Sequence, residues 1–180
     1  MDISDDKKQP ENEQQDAHQQ EENARLYDKL AERAQELFRT GKDKSAEAIE
    51  AAVEKARKQL TEAGLFSSER GKAFKEYLLK DLARLREFSR ELGEEAKTRF
   101  EPVRLGSGAL ASLSSLLHSA SETLQDWAKK TDQALSCRTG EVTSAGSLTC
   151  ENCGKTINLK KSGRIPPCPE CTGTHFKKGY

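Results

Sequence analysis

The amino-acid sequence predicts a mainly α protein: an elongated antiparallel helical hairpin or small bundle, followed by a small C-terminal β module. Three observations carry this expectation. Charged residues make up 33% of the 180-residue chain and apolar ones only 34%, with a mean hydropathy of −0.85. So little apolar surface suits narrow helical seams better than one large core. Apolar residues recur three and four apart through the middle of the chain, and residues 148–180 then abandon that period and carry two Cys-x-x-Cys pairs.

Residues 1–22 hold eight acids and two bases, with Ile3 the only sizeable aliphatic side chain after Met1. A segment this polar buries too little to offset its ordering entropy and is expected to be a disordered acidic tail. From Asn23 a helical period begins, with Leu26, Leu30, Ala34 and Leu37 on one stripe and Gly41 as its stop. Asp43 or Ser45 caps a second helix, whose seam is Ala46, Ile49, Val53, Ala56 and Leu60 and whose end is Gly64. The short connection between the two implies an antiparallel pair. Leu65 and Phe66 precede Ser67 and Ser68, a staple ahead of a cap. A third helix from about Glu69 carries Phe74, Leu78, Leu82, Leu85, Phe88 and Leu92, and Pro102 stops or kinks any helix that reaches it. Leu110, Leu113, Leu117, Ala120, Leu124 and Trp127 mark one or two further helices before residue 136. These narrow, coiled-coil-like seams also suggest self-association.

Residues 137–147 read as a linker and residues 148–180 as the module, with Val142 and Leu148 fitting short strands where Gly140, Gly146 and Ser147 break the helical period. Cys150 and Cys153, then Cys168 and Cys171, form two knuckles separated by fourteen residues. Two residues between thiolates let both sulfurs reach one ion at about 2.3 Å. Gly154 permits a positive φ after the first knuckle, while the second has Thr172 there and its glycine at Gly173. Short strands are expected around Thr156–Leu159, Ile165 and residues 174–177, with a turn over residues 161–164. Two knuckles across a small antiparallel sheet make a zinc ribbon. Four cysteines with no open position hold one structural Zn²⁺ that folds the module, with rubredoxin-like iron as a chemical alternative. His175 is expected to be a strand residue rather than a ligand, and Cys137 a spare thiol, a small hydrophobe or a redox partner.

The run Thr139-Gly140-Glu141-Val142, then Gly146, Leu148, Cys150 and Cys153, then Cys168-Pro169-x-Cys171 and Phe176 resembles the C-terminus of the bacterial zinc-ribbon-containing family typified by YbeL. In that family a charged helical region precedes the ribbon. The resemblance implies the fold, the metal and a bacterial cytoplasm, and no activity, since the family's molecular function is unknown.

Charge and motif content narrow the function classes. The formal net charge is zero, with −6 on residues 1–22, +2 in the middle and +4 on residues 148–180, so nucleic-acid binding would have to rest on the ribbon. Its candidate phosphate contacts are Lys155, Lys160, Lys161, Arg164, Lys177 and Lys178, with Phe176 and Tyr180 as stacking candidates. No GxGxxG, P-loop, HExxH or GxSxG motif is present, and the many carboxylates interleave with Lys and Arg along helix faces. The chain is therefore expected to be non-enzymatic, a protein-interaction or regulatory adaptor with an unknown protein partner. Nucleic-acid binding is the alternative, and CxxC thiol redox chemistry a third reading. Five cysteines, one outside the pairs, argue against a disulfide framework. Residues 1–15 lack a signal-like apolar run, and the most apolar stretch, residues 105–117, falls short of the ~20 residues of a membrane span. Cytoplasmic placement without membrane contact is expected.

Overall fold

The computed structural model describes residues 9–93, 107–120 and 136–180. Among the described residues four helices lead into six short strands: α1 (Gln9–Thr40), α2 (Ala46–Glu62), α3 (Ser68–Leu92), α4 (Ala109–Ser119), β1 (Ser136–Arg138), β2 (Val142–Thr143), β3 (Gly146–Cys150), β4 (Thr156–Leu159), β5 (Gly163–Arg164) and β6 (His175–Gly179). The mainly α architecture with a C-terminal β module is as the periodicity and the knuckles predict. The expected stripe residues Leu124 and Trp127, and Pro102, lie outside the described residues.

Helix α1 starts far ahead of the expected Asn23. Residues 9–22 are helical rather than the disordered tail that composition suggests, and residues 16–22 are exposed. Their Gln, Glu and Ala are strong helix formers. Extending a helix already nucleated by buried Ala24, Leu26, Tyr27 and Leu30 needs no new nucleus. At its other end Gly41 takes no left-handed φ. Its N–H still donates to Leu37 O and Phe38 O at 3.2 Å, and Lys44 adds to this, its Nζ donating to Phe38 O at 2.7 Å and lying 4.7 Å over the Phe38 ring.

Ser45, not Asp43, caps α2. Its hydroxyl accepts from Ala48 N at 3.2 Å, while Asp43 accepts from the Ser45 amide and hydroxyl. Ser67 caps α3 in the same way through Arg70 N. The residue stapled behind that cap is Phe66, buried edge-on against Phe74 with ring centroids 5.9 Å apart, whereas Leu65 is exposed. A Cβ at Gly71 would lie 2.7 Å from the Phe66 ring, so that position has no room for a side chain.

The stripes expected for α1, α2 and α3 bury one another. Leu30, Ala34, Ile49, Val53, Ala56, Leu78, Leu82 and Leu85 share one core with Leu113 and Leu116 of α4. The seams that suggest self-association are thus occupied within the chain.

Helix α4 has glycine at its N-cap, and Gly108 offers no capping side chain. Asp28 of α1 takes that role across the fold. Its Oδ1 accepts from Ala109 N at 2.9 Å and from Ser162 Oγ, in the loop between β4 and β5, at 2.6 Å. Gly108 sits at φ 100°, a backbone conformation that favours glycine. One side chain therefore fixes a helix end and a ribbon loop. Asp28→Ala is expected to cost about 2 kcal/mol, the sum of a lost cap and a charge-assisted hydrogen bond, read from urea unfolding. Asp28→Asn, which keeps an acceptor, should lose less.

The strands form an antiparallel four-stranded sheet in the order β1-β6-β3-β4 and a two-stranded sheet of β2 with β5. Residues 137–147 are therefore not a linker. Cys137 faces Phe176 in the β1–β6 pairing, Val142 joins the helical core, and Thr143 pairs with Gly163. Strands of two and three residues are too short to show an alternating pattern. Among the described residues no helix is long and apolar enough to cross a membrane.

Candidate metal centre

Each knuckle is a tight turn closed by the same two backbone bonds. In the first, Gly154 N donates to Cys150 O at 2.9 Å and Cys150 N to Lys155 O at 2.8 Å. In the second, Thr172 N donates to Cys168 O at 2.8 Å and Cys168 N to Gly173 O at 2.9 Å. The two turns are copies in geometry although their sequences differ. The left-handed residue is Gly154 at φ 74° in one and Thr172 at φ 56° in the other. Gly173 serves a separate need, because a Cβ there would stand 3.1 Å from Cys150 Sγ and 3.2 Å from Cys171 Sγ. A β-branched residue is strained in the left-handed region. Thr172→Gly should therefore stabilise the metal-loaded protein by about 0.5–1 kcal/mol, and Gly154→Ala should destabilise it by a similar amount, both read from thermal melts.

The turns bring four sulfurs together. Cys150 Sγ lies 3.6 Å from Cys171 Sγ and Cys153 Sγ 3.6 Å from Cys168 Sγ, and all four lie within 4.8 Å of one another. A tetrahedral ion with ~2.3 Å bonds to sulfur needs edges of about 3.8 Å, which this cluster matches. The separations are far beyond the ~2.05 Å of a disulfide, and all four thiols are free. Cys150 and Cys168 are buried and Cys153 is exposed.

The thiols also need a cation. The Asn152 side chain and the Gly173 N–H donate to Cys171 and hold it down at about 6. The Lys155 N–H pulls Cys153 down, but its contacts with the other three sulfurs push it up to about 12. Four thiolates this close cannot all ionise unaided, and a dication resolves the conflict. The four cysteines are positioned to bind one metal ion as a closed, four-thiolate structural site, the only such cluster among the described residues. The donor set fits zinc.

Residues 35–179 match the zinc-ribbon containing domain family. The chain belongs to that family. No curated protein and no solved structure matches it.

In this zinc-ribbon chain the other sequence candidates fall into two groups. Lys155, Lys160, Lys161, Arg164 and Lys177 are exposed, Lys155 facing Glu170 at 3.8 Å and Lys161 facing Glu21 of α1 at 3.9 Å. Lys178 is not on the surface. Its side chain is fully buried, and its Nζ donates to Ser144 O at 2.8 Å, to Ser144 Oγ at 2.9 Å and to Thr143 Oγ1. A buried, fully engaged ammonium cannot meet a phosphate. The stacking candidates are occupied as well, Phe176 in the ribbon core and Tyr180 edge-on to Phe88 with centroids 5.8 Å apart. His175 is an exposed strand residue paired opposite Arg138. Cys137 is buried in the ribbon core beside Cys150 and Cys168 but is not one of the four clustered sulfurs, and burial pushes its thiol up to about 11.

The feature that sequence reasoning missed is Asp81. Its side chain is fully buried in α3 beneath the ribbon. Tyr27 Oη donates to it at 2.8 Å, Thr143 Oγ1 at 2.7 Å, Ser144 N at 2.7 Å and Arg84 at 3.0 Å, with the Lys178 ammonium 3.4 Å away. Burial alone would raise its pKa, but the charges of Lys178 and Arg84 with the Ser144 and Thr143 donors outweigh it and hold Asp81 at about 2. Arg84 also donates to Ser136 O at 2.6 Å, and Tyr180 Oη to Asp81 O at 3.0 Å. Helices α1 and α3 and strands β1, β2 and β6 are thus joined around one carboxylate. The ribbon is not a separate module hung on helices. One sign was present in the sequence: Asp81 falls three after Leu78 and four before Leu85, on the apolar stripe itself.

Proposed function

We propose that the chain is a non-enzymatic adaptor of a bacterial cytoplasm, in which structural zinc holds a rigid β platform on the helices and an acidic, extended segment of a partner protein adds along β4. The observation that carries this reading is the free edge of the four-stranded sheet. Among the described residues β4 pairs with β3 alone, Thr156 and Asn158 are exposed, and Lys155, Lys160 and Lys161 flank the strand. A free edge offers main-chain donors and acceptors to an added strand, and lysines beside it select an acidic one while discouraging self-pairing. The non-enzymatic part draws support from the closed thiolate set and from Asp81 and Lys178, whose polar atoms are engaged inside the fold. Five thiols without a disulfide fit a reducing compartment.

Binding of a labelled Asp/Glu-rich peptide, followed by fluorescence anisotropy at moderate salt, tests the reading. Peptide binding that drops at least tenfold in Lys155→Glu/Lys160→Glu supports it. No peptide binding, together with crosslinking in cells to nucleic acid alone, would sink it.

Nucleic-acid binding is the second reading and loses ground. With Lys178 removed to the interior, five exposed cations face Glu151, Glu170 and a dianionic zinc site, which leaves a net +1 on the ribbon.

A further inference from the structure

Metal and helices are tied to opposite ends of the same strand. Strand β6 follows the second knuckle after Thr172, Gly173 and Thr174, and it lies between β1 and β3. Its register against β3 sets Phe176 opposite the ligand Cys150, and Lys178 opposite Leu148. Along β6 the buried positions are Phe176 and Lys178, and the exposed ones are His175 and Lys177. Shifting the strand by one residue would turn Lys178 outward and present Lys177 instead. The register that delivers Lys178 to Asp81 is therefore the register that the knuckles impose.

The receiving side lies wholly in the helical layer. Asp81 and Arg84 belong to α3, Tyr27 to α1, and all three are buried. Of the groups that satisfy the carboxylate, Thr143, Ser144 and Lys178 come from the ribbon. If the ribbon loosens, Asp81 loses Thr143, Ser144 and Lys178 and keeps only Tyr27 and Arg84, while the face of α1 and α3 beneath the ribbon loses its cover and the packing that this cover completes. Stability lost at the sulfurs is then felt inside α1 and α3.

We propose that the Asp81–Lys178 lock couples metal occupancy of the four-cysteine site to the packing of α1 and α3, so that the helical layer reports whether the ribbon holds its ion. The coupling is reciprocal: whatever weakens the lock also weakens metal binding. It is independent of what binds along β4. A partner that contacts the helices would meet a different surface on the loaded and stripped chain.

Hydrogen exchange by mass spectrometry on the full chain, with zinc and after chelation, reads the coupling directly. The expected result is at least tenfold faster exchange in residues 24–31 and 78–85 of the stripped protein, in addition to residues 136–180. Faster exchange confined to residues 136–180 would overturn the proposal. The paired variant Asp81→Leu/Lys178→Met separates the lock from simple loss of cover. In it, chelation should leave residues 78–85 at least tenfold slower to exchange than in stripped wild type, and equal exchange would overturn the proposal. Should the pair not fold, Thr143→Val removes only one hydroxyl from the cluster. Zinc affinity by competition with a chelating dye should then fall a few-fold, and an unchanged affinity would overturn the coupling.

Discussion

Removing zinc is expected to unfold residues 136–180 and to expose every thiol of the chain. The ribbon core is small, consisting of Cys137, Leu148, Cys150, Ile165, Cys168 and Phe176, and two of those residues are ligands. Such a core does not hold by burial alone, and structural zinc sites in small domains supply on the order of 10 kcal/mol of folding free energy. Two measurements track the loss. Elemental analysis should find one zinc per chain in purified protein. Alkylation should be slow at all five cysteines while zinc is bound, because four are ligands and Cys137 is buried with its thiol pushed up to about 11. After chelation all five should react. Cys150→Ser or Cys168→Ser should behave like the stripped protein. A chain that is purified without metal and has one fast-reacting thiol would instead support CxxC redox chemistry.

Breaking the buried ion cluster should have the next largest effect. Asp81→Ala leaves the Lys178 ammonium and the Arg84 guanidinium without their shared carboxylate in a site where both side chains are almost fully covered. Loss of one partner from a buried pair costs about 3–5 kcal/mol, and urea unfolding of the zinc-loaded protein should read that loss. Asp81→Leu/Lys178→Met should recover the share due to the stranded ammonium but not that due to Arg84, whose guanidinium keeps only Ser136 O and the more distant Glu141. The cost also depends on pH. The folded pKa of Asp81 is about 2, below the ~3.9 of an unfolded aspartate. Its contribution is therefore complete above the unfolded value and fades as pH falls from about 5 towards 2. The gap in stability between wild type and Asp81→Asn should close across that window. A gap that stays constant would mean that the carboxylate's charge plays no part.

The difference between what is legible in the sequence and what is hidden there comes from the range of each interaction. The knuckles are local: Cys150 and Cys153 show their purpose within four residues. The seams of α2 and α3 repeat often enough for period to reveal them, and Ser45 and Ser67 cap helices that begin beside them. The tail of α1 escapes because composition describes a segment alone, whereas residues 9–22 extend a helix that the core already holds. Thr172 in a left-handed turn is masked because its neighbour Gly173 offers an easier reading. Asp81 and Lys178 are hidden most deeply. They stand 97 positions apart, and each looks ordinary among charged neighbours. Nothing in the pair Lys177-Lys178 says which lysine turns inward until β6 is set against β3. A lysine that reads as a nucleic-acid contact is in fact a strut of the fold.

The long reach of Asp28 and Asp81 sets an order of events during synthesis. Asp28 waits for Ser162, 134 positions later, and Asp81 for Lys178. At translation speeds of roughly 5–20 residues per second, the ribbon follows α3 off the ribosome by about 5–20 seconds. Throughout that interval the new helices carry an acidic spot on an apolar surface with nothing to cover it. Incompletely folded chains are triaged by proteases and chaperones in cells, and metal binding is expected to close the interval in which this chain is open to them. Cells short of zinc should therefore accumulate less of this protein at unchanged synthesis rates, with turnover rather than expression limiting its abundance.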